Sequence, residues 1–159
     1  MEFNFLAIVV TALVPMNLGF IWYNSKVFGN VWLRESEMTA TKINSGNKAM
    51  MFVASLLLSL LLAFFTNFLV VHELGVYGLT EGQNGGANTQ AFLAEFAGRW
   101  RTFKHGAIHG AMAGVMFALP IIAINGLQER KSLKYIAIHA GYWIVCLTIM
   151  GSIISGWTV

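Results

Sequence analysis

The sequence predicts an all-α polytopic membrane protein: a four-transmembrane-helix bundle with one or two short interfacial amphipathic helices. Three observations carry this. Of the 159 residues, 57% are hydrophobic and 11% are charged, less than half the roughly 25% charge of a soluble domain. Four nearly uncharged stretches reach the roughly 20 residues needed to cross a hydrocarbon core of about 30 Å. The last two are separated only by Gln128-Glu129-Arg130-Lys131-Ser132, so they must run antiparallel. The reading is one membrane domain over 1–159, with spans at 3–23, 49–71, 105–127 and 134–157 and an outer loop with an amphipathic helix at 74–104.

In the first span no basic residue precedes the apolar run and no small-residue cleavage site follows it, which marks a retained helix rather than a signal peptide. Pro15 removes an amide donor and should kink it. Asn4, Thr11, Pro15 and Gly19 share a face directed into the bundle, and Trp22 and Tyr23 stand at the membrane–water boundary. Val27, Phe28, Val31 and Trp32 then recur at helical spacing against Lys26, Asn30 and Arg34, which suits a short helix lying in the interface. Asn44-Ser45-Gly46-Asn47 turns the chain back.

The second span carries a small and polar stripe, Ser55, Ser59, Ala63, Thr66 and Asn67, that should pack on protein while Leu, Phe and Val face lipid. His72 and Glu73 close it. The long connection begins with a glycine- and asparagine-rich loop, Gly82 to Asn88, and continues as an amphipathic helix over Thr89 to Phe103 with Phe92, Leu93, Phe96, Trp100 and Phe103 on one face. That helix lies on the membrane surface or folds over the bundle as a lid.

The third span holds the most informative pattern. His105 and His109 lie one turn apart on one face, and Met112, Met116 and Pro120 continue their stripe. Gly106, Gly110 and Gly114 repeat the small-xxx-small pattern of close helix–helix approach, and Gly141 offers a small surface on the fourth span. Pro120 should kink this helix as Pro15 kinks the first.

Polar residues therefore fall at two levels. His72, Glu73, His105, His109 and Asn67 gather toward one face, and Asn17, Asn125 and His139 toward the other. The first group admits three readings: interfacial hydrogen bonding, proton or solute handling, or ligation of a metal or haem by His105 and His109, since two histidines at i and i+4 reach one ion. The motif lacks the internal glutamate of the metalloprotease His-Glu-x-x-His, and Lys104 stands beside His105. Asn17 and His139 read most simply as interhelical hydrogen-bonding groups. Cys146 is the single cysteine, so no intrachain disulfide framework exists. No phosphate-cradling loop and no Gly-x-Ser-x-Gly motif occurs, so catalysis has no positive signal and no cofactor is expected beyond the metal or haem alternative. A net charge of +3 without a basic cluster gives no footing for nucleic acid.

Seven Lys and Arg residues flank the connections after the first and third spans, against three on the opposite side. By the positive-inside rule both termini and the long connection lie outside. Several small-residue faces exceed what one bundle can cover, which predicts a homo-oligomer in the lipid bilayer. Three functions remain in view: a small-solute or ion transporter or channel working as an oligomer, a metal- or haem-binding membrane protein, and a structural or accessory subunit docking a membrane partner.

Two segments resemble a known family. Gly19-Phe20-Ile21-Trp22-Tyr23-Asn24-Ser25 with Val27-Phe28-Gly29 and Trp32 is similar to its first signature. Phe103-Lys104-His105-Gly106, His109-Gly110, Ala118-Leu119-Pro120, Glu129-Arg130-Lys131 and Gly141-Tyr142-Trp143 are similar to its second. The family is the small bacterial membrane proteins of the domain of unknown function 1761. The resemblance implies four membrane helices and a prokaryotic origin, which with the apolar spans makes the bacterial cytoplasmic (inner) membrane the expected location. It implies no activity, and it marks Trp22, Tyr23, His105, His109, Glu129 and Trp143 as the residues such a family would share.

Overall fold

The computed structural model describes residues 3–80 and 86–158, which are helical throughout their ordered elements. Four helical stretches are long and apolar enough to cross a membrane: Phe5–Trp22, Lys48–Val70, Phe103–Gln128 and Leu133–Gly156.

The first span is two helices, α1 (Phe5–Ala12) and α2 (Val14–Trp22), parted at Leu13. Pro15 sits in the first turn of α2, where its missing amide costs no helical bond. Two short helices follow, α3 (Gly29–Glu35) and α4 (Ala40–Ser45). The interfacial helix thus starts two residues after Val27, and part of the expected turn at Asn44 and Ser45 is helical. Asn47 then caps α5 (Lys48–Val70) through the Met50 amide.

The long connection differs most from expectation. A seven-residue helix, α6 (Glu73–Leu79), follows the second span directly, and α7 runs Ala87–Phe96. The amphipathic helix therefore begins two residues before Thr89 and ends seven before Phe103. It stops because Gly98 takes φ +77°, a left-handed conformation that turns the chain. The expected loop over Gly82 to Asn88 lies largely outside the described residues, and its Ala87 and Asn88 belong to α7.

Thr102 caps α8 (Phe103–Ala113) by accepting from the His105 amide. A five-residue π-helical turn over Gly114–Ala118 leads into α9 (Leu119–Gln128). The wide turn directly precedes Pro120, and such turns absorb the amide a proline cannot supply. After the tight turn, Ser132 caps α10 (Leu133–Gly156).

Helix α10 is the hub: 44% of its most apolar window is buried, against 17–28% for the other three spans. Cys146, Met150 and Ile154 meet Ile8, Ala12, Ala63 and Val70 in the core. On α5, Ser59, Ala63, Thr66 and Asn67 are buried as the small stripe requires, whereas Ser55 is exposed. Lipid-length rows of Leu, Phe and Met on α5 and the third span face outward, including Leu57, Leu61, Phe65, Met116 and Phe117.

The glycine seam is the tightest helix contact. A Cβ added at Gly106 would strike the Gly151 backbone, one at Gly110 the Leu147 and Thr148 backbone, and one at Gly114 the Ile144 Cα at 2.6 Å. Gly141 has a different role: its open face receives the Trp22 ring, whose nearest carbon would lie 3.2 Å from an added Cβ.

Candidate functional site

At the end of the bundle where α5 gives way to α6 and α8 begins, three histidines meet. His72 precedes the first residue of α6 without capping it through its side chain, and His105 and His109 occupy successive turns of α8. The cap from Thr102 fixes where α8 starts and therefore where His105 points. The Nε2 atoms of His72 and His105 are 2.8 Å apart. Ring centroids are separated by 4.9 Å for His72 and His105, 5.0 Å for His72 and His109, and 4.3 Å for His105 and His109. One nitrogen from each lies within 4.8 Å of the others. His72 is exposed and the α8 pair half-buried, so the cluster sits at the protein surface.

Glu73 does not join this cluster. Its carboxylate accepts from the Gly98 amide and pairs with Arg101 at 3.9 Å. Arg101 in turn donates to the Ser155 carbonyl at 3.2 Å, and the Ser155 hydroxyl donates to the Trp100 carbonyl. These bonds pin residues 97–102 over the mouth of the bundle and bring the Trp100 ring to 5.4 Å from His105. Asn67 also stands apart, donating to the Ala63 and Phe64 carbonyls of its own helix. The expected five-residue site is thus three histidines, beside a Glu73–Arg101 clamp.

The group expected at the opposite end does not assemble. Asn17 is exposed on α2 and donates to Leu13 one turn back, and Asn125 is exposed on α9. Only His139 turns inward. The Tyr23 hydroxyl and His139 Nδ1 are hydrogen-bonded at 3.2 Å, and Nε2 is buried with no partner among the described residues. Tyr142 donates to the Pro15 carbonyl at 2.6 Å and Trp22 Nε1 to the Ile138 carbonyl at 3.1 Å. Trp22 and Tyr23, expected as boundary markers, instead tie α2 to α10. Outside the spans at this end, Ser132 donates to Glu35 at 2.6 Å. That bond, reinforced by Arg34, holds the Glu35 carboxyl below the usual carboxylate range.

A family model described as a protein of unknown function (DUF1761) matches residues 6–155. The chain belongs to the DUF1761 family. No curated protein matches it. No solved structure matches it either.

The chemistry available to this DUF1761 chain follows from its three imidazoles. Around an ion with metal–nitrogen bonds of about 2.0–2.1 Å, tetrahedral ligands stand about 3.3 Å apart. The 2.8 Å separation must open by about 0.5 Å, and the widest, 4.8 Å, must close by about 1.5 Å. Rotation about the side-chain torsions of surface histidines covers such distances. Glu73 is held elsewhere by Gly98 and Arg101, which leaves the fourth position of such an ion to water or a solute. The sequence signal for the pair was the i, i+4 spacing. His72 was expected in the same polar group but not among the metal ligands, because its approach to the pair depends on how α5 terminates.

Proposed function

We propose that this protein binds a divalent transition-metal ion through His72, His105 and His109 at the surface of its bundle, with one coordination position left open. The convergence of three imidazole nitrogens within 4.8 Å carries the reading. Neutral imidazole suits zinc, copper, iron and nickel, and three protein ligands with a free fourth position are the arrangement that exchanges water or substrate. Ring centroids only 4.3–5.0 Å apart leave no slot for a macrocycle between them, which favours a bare ion over haem. The basic-residue distribution supports placing this end, with both termini, on the outer side of a bacterial cytoplasmic membrane.

Protein purified without a histidine tag should bind one cobalt(II) ion per chain, with the visible absorption of a four-coordinate site. His109→Ala should weaken that binding at least about 100-fold, at or above the upper end of what loss of a supporting partner costs. Absence of stoichiometric cobalt, or unchanged affinity in His109→Ala, would overturn the proposal.

A second reading, an oligomeric transporter or channel, is favoured by one observation. Asn17 is exposed within the first span, its amide bonded only to the Leu13 carbonyl one turn back, and a second copy would cover it. Cross-linking in native membranes tests the assembly, and ion flux into proteoliposomes tests the transport.

A further inference from the structure

At the end opposite the histidines, a lateral cleft of about 800 Å³ lies between α2, α5 and α10. That volume falls within the range of about 300–1,000 Å³ typical of small-molecule sites. Lys48 stands at its mouth beside Ile43 of α4, and Pro15, Ser59 and Trp143 line it deeper in. From Lys48 to Ser59 is eleven residues, or about 16 Å along the helix, which matches half of a hydrocarbon core of about 30 Å. The cleft therefore spans one leaflet. Its rims are outward-facing, with Phe20 75% and Leu58 66% exposed, so it opens sideways to the bilayer.

Its polarity is graded. The mouth is cationic: among the described residues Lys48 is not paired with a carboxylate. Lys48 also begins a 23-residue helix, whose first-turn amides add positive potential at the same point. Ser55 lies about 10 Å further along the helix, and its hydroxyl makes no hydrogen bond among the described residues. Below it the lining is mainly apolar, apart from Ser59 and from Tyr142, whose hydroxyl is already donated to the Pro15 carbonyl.

We infer that this cleft holds one anionic amphiphile per chain, its headgroup at Lys48 and the α5 N-terminus, its ester or carboxyl oxygens within reach of Ser55, and its aliphatic chain lying between α2 and α5. The charge at the mouth selects the headgroup, and the one-leaflet length selects the chain. The site is separate from the histidine cluster and does not depend on metal binding.

Native mass spectrometry of the full chain in mild detergent tests this. Phosphatidylglycerol, phosphatidylcholine of matched chains, and free palmitate are each titrated. The expected result is a single phosphatidylglycerol or palmitate adduct, at least tenfold tighter than phosphatidylcholine, with the mass distinguishing the two sources. Lys48→Glu should abolish the anionic preference. Ser55→Phe, which fills the cleft from an exposed position, should remove the adduct while helical circular dichroism stays unchanged. Equal retention of both phospholipids, survival of the adduct in Ser55→Phe, or no adduct at all would overturn the inference.

Discussion

Replacing Gly110 by alanine isolates what the seam between α8 and α10 contributes. In an ordinary helix interior this change is favourable by about 1 kcal/mol, because glycine gives up more backbone entropy than alanine. Here the added methyl meets the Leu147 carbonyl and lies 2.9 Å from the Thr148 Cα, all of it backbone. Carbon atoms pack best about 3.5–4.0 Å apart, so α8 must retreat from α10 by about 1 Å. No rotamer change can relieve a clash against main chain. Overpacking costs about 1–3 kcal/mol, and against main chain that cannot yield, the upper part of that range, about 2–3 kcal/mol, exceeds the propensity gain by about 1–2 kcal/mol. Gly78→Ala is the control, since an added Cβ there has nothing within 4 Å. Unfolding in mixed detergent micelles, followed by circular dichroism, should show Gly110→Ala destabilised by about 1–2 kcal/mol, and Gly78→Ala unchanged or slightly stabilised. A Gly110→Ala variant as stable as Gly78→Ala would show that the seam is not closely packed.

Thr102→Ala removes the cap that starts α8 and should cost about 1 kcal/mol, with faster amide exchange at His105 as the local readout. Tyr142→Phe deletes the bond to the Pro15 carbonyl and should cost about 0.5–1.5 kcal/mol in the same unfolding assay; no loss would mean that carbonyl is satisfied elsewhere. Glu35 responds to pH in a defined direction. Its folded-state pKa lies below the usual 4.5, so the tie to Ser132 is fully present above that value and is lost as pH falls through the lowered one. Amide protection in α3, taken relative to the intrinsic exchange rate at each pH, should therefore fall in acid, and Glu35→Gln should lose that pH dependence of protection.

The four spans were legible because charge-free length is a sufficient signal in a bilayer, where each helix satisfies its own backbone. The seam was legible for a related reason: glycines at every fourth position leave no other use for that face. The short helix α6 was not, since Gly75 and Gly78 weaken any helical pattern in a seven-residue segment. Nor was the fate of Trp22 and Tyr23. An aromatic residue at a span end reads as a boundary anchor, and only tertiary packing reveals whether its polar tip reaches water or, as here, Ile138 and His139. The same limit explains Glu73. Adjacency to His72 suggested a shared site, but its partners Gly98 and Arg101 lie across a connection whose turn depends on one left-handed glycine.

That the hub is α10 has a consequence for how the protein is made. Chains emerge N-terminal first, so the three earlier membrane-length helices are made before the helix that completes their core exists. Until then, Thr66 and Asn67 on α5 and the glycine face of α8 have only lipid, each other or the insertion machinery to meet. Pausing synthesis before Leu133 should leave these spans inserted but unassembled and open to proteolysis. On this packing, completion of the core waits for the fourth long helix.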